Sequence, residues 1–214
     1  MWARRQSCGM SVALGLLALA AGGCNLLIPG LILAGPPTKE VRAEFARLAD
    51  KRVAVYVWAP PSILSMYPYA RYDIAQYIAS RLRADIEGIS IVSTHKVEDY
   101  IERAADQTLD PTVLGAHFEA EMVVYIELFK YQMRDPSSPQ LFRGLISSSV
   151  VVWDLETAGG APERYELSSA EAVYPSSGSL SVMKTTEQMV RKETSELFAE
   201  EVSLKFRDHR VELE

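Results

Sequence analysis

Cysteine and histidine are scarce in this chain of 214 residues, which contains two cysteines and three histidines. Both cysteines, Cys8 and Cys24, lie near the N-terminus, so the rest of the sequence offers neither a disulfide pair nor a Cys/His zinc site. We therefore expect no metal ion and no cofactor. The fold must be stabilised by burial of apolar side chains.

Catalytic signatures are missing as well. There is no GxSxG motif, and the glycines within 157–161 lack the Lys-Ser/Thr of a phosphate-binding loop. His95 falls at a predicted helix start, and His117 and His209 stand in charged contexts, as ordinary surface histidines do. The sequence predicts a protein that is not an enzyme. An unrecognised hydrolase is the alternative, which a His and an acid together in a pocket would favour.

Positive charge is also in short supply, since 22 Lys and Arg residues against 28 Asp and Glu give a net charge of −6 at pH 7. Arg4 and Arg5 are the only charged residues before Cys24, so the chain from Cys24 onward carries −8. This balance argues against binding nucleic acid or anionic headgroups through bulk charge.

The N-terminus instead has the layout of a secretory signal peptide, with two arginines, an apolar stretch over 10–20 and small residues before Cys24. Ala21-Gly22-Gly23-Cys24 resembles the lipobox of bacterial lipoproteins. The resemblance implies that Cys24 becomes the first mature residue and carries lipid, palmitate included. An ordinary signal peptide or an uncleaved anchor are the alternatives, although glycine and proline interrupt the apolar run. Asn25, in place of Asp, favours the outer membrane, facing the periplasm.

The chain divides by composition into four parts: a signal peptide (1–23), a lipidated cysteine and tether (24–37), one α/β domain (38–206) and a charged tail (207–214). Helical spacing of apolar residues predicts a short helix over 38–50, and the tail is expected to fray. Within the domain, apolar runs and turn residues predict strands at 52–58, 89–92, 122–129, 141–155 and 164–174.

The predicted fold class is α/β (α+β mixed), a single mixed sheet of about five strands with helices packed on it. After the first helix, the predicted order is β-α-β-α-α-β-β-β-α. The early strands alternate with helices, which requires parallel pairing, and the last three form an antiparallel meander. Asp110-Pro111 is predicted to open a short helix as N-cap and N1 residues.

Short segments of the domain resemble the periplasmic α/β domain of CsgG-, LpoB- and TolB-N-terminal-like proteins over about residues 50–205. The segments are Val53-Ala54-Val55-Tyr56-Val57, 75–82 ending in Arg81-Leu82, Val97-Glu98-Asp99-Tyr100, and Leu114-Gly115-Ala116 followed by Met122-Val123-Val124-Tyr125-Ile126. The resemblance implies a lipoprotein that binds, scaffolds or forms export channels without catalytic residues. The absence of long amphipathic hairpins argues against a channel.

A Pro- and Tyr-rich loop over 59–69 is the candidate partner contact, because it follows the first central strand, where ligands of α/β sheets usually bind. Its contact candidates are Ile63, Met66, Tyr67 and Tyr69. The alternative is that the loop only packs on the domain.

One acid, Glu127, lies inside an otherwise apolar strand. Either it points to an open face of the sheet, or it pairs with Arg143 on the next strand, and pairing is favoured because buried charges need partners.

These features predict a lipid-anchored envelope protein with a non-catalytic binding or scaffolding domain, whose partners are the membrane, through Cys24, and another envelope protein or a second copy. A subunit of an oligomeric export or assembly apparatus is the alternative.

Replacing Cys24 tests the lipid anchor. If its sulfur is acylated, Cys24→Ser should move the protein from the membrane fraction to the soluble fraction, because stable anchoring needs the attached acyl chains. Fractionation followed by immunoblotting measures this. A mutant that stays membrane-bound at wild-type levels contradicts the prediction.

Overall fold

The structure, a computed structural model, describes residues 38–104, 109–157 and 160–212. The predicted signal peptide, Cys24 and the tether lie outside the described residues. The described residues fall into two compact units, one within 42–209 and one that combines 38–41 with 210–212. In the described ranges, no helix is both long enough and apolar enough to cross a membrane.

The predicted fold class and element order are confirmed, with small additions at the predicted loops and ends. The elements are, in chain order, β1 (Thr38–Val41), β2 (Arg52–Trp58), α1 (Pro61–Leu64), α2 (Ala70–Asp85), β3 (Ser90–Ile91), α3 (Thr94–Arg103), α4 (Pro111–His117), β4 (Met122–Arg134), β5 (Leu141–Asp154), β6 (Glu163–Tyr174), β7 (Leu180–Ser181), α5 (Glu187–Leu204) and β8 (His209–Glu212).

One six-stranded mixed sheet organises the larger unit, in the order β3-β2-β4-β5-β6, with β7 paired to the start of β5. β3, β2 and β4 are parallel, and β4, β5 and β6 are antiparallel, as predicted. The predicted cap of α4 is also present, since the Asp110 side chain accepts a hydrogen bond from the Thr112 backbone N–H at 2.8 Å.

The two faces of the sheet are covered unequally. On one face, Val55 and Ile126 lie in the main core, to which α2 contributes Ile78 and α5 contributes Phe198. On the other face, α3 and α4 cover the first part of β2 and β4, where Tyr56 is buried. The apolar run of β2 therefore reflects a strand buried on both faces, as parallel strands usually are.

β4 is longer than predicted because a bulge interrupts its alternation. The register with β5 shifts between Leu128 and Lys130, so Phe129 and Lys130 are both exposed. After this shift Tyr131 and Met133 return to the core. The bulge made the second half of the strand look like a loop.

Two expectations at the ends of the domain were wrong. Residues 38–41 form β1 rather than the start of a helix, and the chain then turns. Phe45 and Leu48 are buried, as their apolar spacing predicted, but the segment that carries them consists of turns rather than a helix. The tail that was expected to fray forms β8, which pairs with β1.

Glu127 does not pair with Arg143. It lies opposite Ser149 on β5, six residues from Arg143 along the same strand, a separation of roughly 20 Å. Glu127 is half-buried on the sheet face that also carries Tyr125. Burial, with a smaller effect of the Glu127 charge, raises the pKa of the Tyr125 hydroxyl. The alternative prediction, an acid on the more open face, is the correct one.

Helix α5 crosses β5 at very close range at Gly144. A β-carbon built on Gly144 would lie 1.8 Å from Oγ1 of Thr194, which is fully buried. The Thr194 hydroxyl is fixed in turn, because it donates to the Val190 carbonyl at 2.6 Å. Glycine at 144 therefore allows the helix to lie directly on the strand.

Gly144→Ala should lower the free energy of unfolding by about 1–3 kcal/mol, because the added methyl group overlaps the Thr194 side chain. Denaturant unfolding measures this. In a Thr194→Ala background, which removes Oγ1 of Thr194, Gly144→Ala should lower the free energy of unfolding by less. An equal decrease in both backgrounds would contradict the close contact between residues 144 and 194.

The edge strand β6 has a bulge where its register with β5 shifts, and two charged side chains cover its backbone there. Glu44 accepts hydrogen bonds from the Ser168 backbone N–H at 2.7 Å and from its hydroxyl at 2.5 Å. Lys205, whose side chain is 4% exposed, donates to the Ser169 carbonyl at 3.2 Å and lies 3.4 Å from Glu44. These contacts occupy backbone groups that would otherwise offer an edge to another chain.

The Glu44 contacts make stability depend on pH. Burial acts to raise the pKa of Glu44, but the bonds from Ser168 and the charge of Lys205 outweigh it and the pKa is lowered. The ionised carboxylate thus stabilises the fold at pH values above about 4.3, the pKa of a glutamate in the unfolded chain. This stabilisation is lost as the pH falls through the lower pKa of Glu44 in the folded protein.

The stability difference between wild type and Glu44→Gln should therefore be constant from about pH 7 to 5 and shrink below about pH 4. Thermal unfolding across this range measures it. Glu171→Gln, an exposed change on the same strand, is the control and should have little effect at any pH. A Glu44→Gln difference that persists undiminished at pH 3 would contradict the contribution of the carboxylate charge.

Candidate functional site

Four segments meet at the end of the sheet where β2 finishes. They are the loop 59–69, the hairpin between β4 and β5, the segment 175–186 and the first turn of α5. We call this region the loop end. The segments are joined by the pairing of Leu141 with Ser181 and by an ion pair of 2.9 Å between Arg134 and Glu187.

Tyr67 fastens the loop to the domain. Its ring lies edge-on to the buried Tyr131 ring, with centroids 5.0 Å apart, and the Arg191 guanidinium lies 5.7 Å from its centroid. Burial, with a smaller effect of Glu187, raises the pKa of the Tyr67 hydroxyl. Ile63 is 6% exposed and belongs to the main core. These two predicted contact residues therefore hold the loop in place.

The other two predicted contact residues are exposed, Met66 at 68% and Tyr69 at 72%. The neighbouring segments add three exposed apolar residues that the sequence reasoning missed: Val182, Met183 (94% exposed) and Met189. We call these five residues the methionine surface. Clustered exposed apolar side chains mark interaction sites, and the flexible thioether of methionine adapts to varied partners.

Hydrogen bonds hold the segment that carries Met183. Asp135 accepts hydrogen bonds from Ser137 and from the Ser179 hydroxyl, and these bonds lower its pKa to about 2. The Val182 backbone N–H donates to the Gln140 carbonyl at 3.0 Å. The backbone beneath the exposed methionine is thus fixed, which reduces the entropy lost on binding.

A groove of about 400 Å³ opens between α2 and α5 beside the methionine surface. Its lining residues are Asp73, Tyr77, Thr186, Gln188, Met189, Arg191 and Lys192. Burial raises the pKa of Asp73, and the nearby Arg191 charge opposes that rise. Because its walls combine an aromatic ring, a methionine and charges of both signs, the groove can accept the side chain of a partner.

A larger cavity, of about 580 Å³, lies at α4 near the start of β4. Its acids include Glu121 and Glu156, both within 3.3 Å of the Lys51 ammonium. Hydrogen bonds from Lys51 and from the Arg52 backbone lower the pKa of Glu121. These acids are engaged in ion pairing and are not brought together with any of the three histidines.

The histidines lie apart. His95 Nδ1 is 3.6 Å from Oδ1 of Asp99, on the same exposed helix face. The His117 ring stacks on the Tyr100 ring. His209 Nδ1 is 3.2 Å from the Arg207 carbonyl oxygen. Within 38–104, 109–157 and 160–212, no group of three His, Cys, Asp or Glu residues could hold a metal ion.

No protein-family model and no curated protein matches the chain. Solved structures with some likeness include a variant PelC dodecamer from Paraburkholderia phytofirmans (12% identity, TM-score 0.44, 80% of this chain and 98% of that chain). The hypothetical protein CT253 from Chlamydia trachomatis is 15% identical, with a TM-score of 0.42, and the match covers 74% of this chain and 98% of that chain. The lipoprotein GNA1162 from Neisseria meningitidis is 14% identical, with a TM-score of 0.37, and the match covers 67% of this chain and 95% of that chain. None of these three is named as a CsgG, LpoB or TolB protein, and that resemblance stays a prediction.

The two loop tyrosines should respond differently to truncation. Tyr67→Ala should lower the melting temperature by several degrees, because it removes a buried aromatic contact. Tyr69→Ala, two residues away and exposed, is the matched control and should shift it by no more than a degree or two. Equal shifts would contradict the packing of Tyr67.

Proposed function

We propose that this chain is a lipid-anchored protein of the bacterial envelope whose α/β domain, without catalysing a reaction, binds another envelope protein through the methionine surface. The Ala21-Gly22-Gly23-Cys24 motif supports export and acylation, with the domain facing the periplasm. The observation that carries the binding role is the exposure of Met66, Tyr69 and Met183 on segments whose backbones are fixed.

Apolar side chains that stay exposed to water forgo the free energy that burial would release. A methionine that is 94% exposed contributes little packing to the domain, and Val182 and Met189 at the loop end are exposed as well. Placing these side chains under a partner removes apolar area from water at about 25 cal/mol per Å². Because Tyr67, Arg134 and Glu187 already hold the loop end together, little ordering is needed on binding.

Site-specific photocrosslinking in cells tests this proposal. A photoreactive amino acid at Met183 of the full lipidated chain should give a discrete product of higher mass. The control position is Val113 on α4, which is apolar and 50% exposed but lies away from the loop end. The combined change Met66→Ser and Tyr69→Ala should reduce the yield about tenfold, since anchor residues cost more than about 1 kcal/mol when truncated.

Equal products from positions 183 and 113, or none from 183, would contradict the proposal. A product that contains only a second copy of this chain would favour the alternative, a subunit of an oligomeric apparatus.

A further inference from the structure

Three buried polar groups at the groove between α2 and α5 have no hydrogen-bond partner among the residues that the structure describes. They are the hydroxyls of Tyr131 and Ser195 and Nε of Arg191. Tyr131 is 4% exposed and Ser195 is fully buried. Buried polar groups are almost always bonded, because an unpaired one destabilises the fold. Three unpaired donors in one region therefore require an explanation.

The three groups lie together at the groove. Arg191 lines the groove, and Ser195 follows it by one turn on the same face of α5. The Tyr131 hydroxyl lies near both, since burial raises its pKa, the Arg191 charge opposes this rise, and Ser195 has a smaller lowering effect. The two hydroxyls are nevertheless not aligned for a hydrogen bond to each other. All three groups can therefore donate to one ligand.

The α2 wall of the groove carries an unpaired acid. Asp73 is half-buried, and within the described part of the chain its carboxylate accepts no hydrogen bond and forms no ion pair. The Asp73 charge also acts on the Tyr131 hydroxyl, so the acid lies near the same point as the three donors. The groove thus presents an acceptor on α2 and donors on α5 and β4.

Net charge does not select a ligand here, because acids and bases around the groove nearly cancel. Glu187 is engaged with two guanidinium groups, and Lys192 has a contact of 3.7 Å with Glu196. The unpaired groups select the ligand instead, which needs an acceptor for the three donors and a donor for Asp73. The acids counted here are Asp73, Glu187, Glu193 and Glu196, and the bases are Arg134, Arg191 and Lys192.

The remaining walls limit the size and polarity of the ligand. The groove volume of about 400 Å³ lies within the range of about 300–1,000 Å³ that small-molecule sites have. Tyr77 and Met189 offer an aromatic ring and a thioether for apolar contacts. A compact ligand with one apolar side chain therefore matches the groove.

We propose that this groove binds an apolar amino acid through its carboxylate and its α-nitrogen, either as a free amino acid or as the carboxyl-terminal residue of a peptide. The carboxylate accepts from Arg191 Nε and from the Tyr131 and Ser195 hydroxyls. The α-nitrogen donates to Asp73, and the side chain contacts Tyr77 and Met189. The inference goes beyond the proposed function and does not rest on it, because these polar groups are not part of the methionine surface.

Four small probes test which groups of the ligand are recognised. L-leucine carries both groups, leucinamide lacks the carboxylate, and 4-methylpentanoic acid lacks the nitrogen, while the tripeptide Gly-Ser-Leu has both groups at a chain end. Ligand-observed NMR titrations with the full chain in detergent measure the dissociation constants. We expect leucinamide and 4-methylpentanoic acid to bind at least about tenfold more weakly than L-leucine, because each leaves polar groups of the groove unpaired.

Single-atom changes in the protein locate the binding. Tyr131→Phe and Asp73→Asn should each weaken L-leucine binding about tenfold. Tyr165→Phe on β6 and Asp99→Asn on α3 are the matched controls away from the groove, and binding should stay as in wild type. Tyr131→Phe should also leave the melting temperature of the ligand-free protein within a degree or two, because its hydroxyl has no hydrogen bond to lose.

The comparison of L-leucine with the tripeptide distinguishes the two sources of the ligand. Tighter binding of L-leucine assigns the groove to a free amino acid, and tighter binding of the tripeptide assigns it to a chain end. Equal binding of L-leucine and its two analogues, or no saturable binding of any probe, would overturn the proposal. Tyr131→Phe that melts several degrees lower and leaves L-leucine binding unchanged would also overturn it, because the hydroxyl then holds an internal water only.

Discussion

The close approach of α5 to β5 at Gly144 is the constraint on which the rest of the larger unit depends. With no room for a β-carbon there, the helix lies directly on the sheet and brings Phe198 into the core. The same helix carries Glu187 and Arg191 in its first turns. Its position against the strand therefore also sets the position of the charges and of Tyr67 at the loop end.

The loop end joins rigid and adaptable parts in a way that suits binding. Tyr67 and Ile63 bury one side of the loop 59–69 and leave Met66 and Tyr69 outside. The segment 175–186 is fixed through Asp135 and β7. Flexible thioether side chains thus stand on a backbone that needs little ordering, a combination that allows tight contact with a partner at low entropic cost.

The central strands and their order could be predicted because each strand is specified by one continuous apolar run with turn residues at its ends. β2 was predicted with its observed bounds, and the cap at Asp110 was also found. The later half of β4 could not be predicted, because a bulge at Phe129 breaks the alternation on which strand prediction depends. The helix expected over 38–50 failed because apolar spacing alone does not distinguish a helix from turns that deliver Phe45 and Leu48 to the core.

The candidate site was only half predictable for a related reason. The loop 59–69 could be identified from its composition, but which of its residues face water depends on Tyr131 and Arg191, which are distant in sequence. Met183 and Met189 gave no signal, because a methionine in a loop or at a helix start is equally compatible with burial. The pairing expected for Glu127 failed because the register of β4 and β5 places Arg143 far along the strand.

Oxidative footprinting of the methionines tests most directly whether a partner covers the methionine surface. Among the described residues, Met66, Met183 and Met189 are exposed, and Met122 and Met133 are buried and serve as internal controls. In the purified chain the three exposed methionines should oxidise rapidly and the two buried ones slowly. In intact envelopes, we predict selective protection of the three, because a partner covers them. Equal oxidation of the three in both preparations would contradict the assignment of this surface as the binding site.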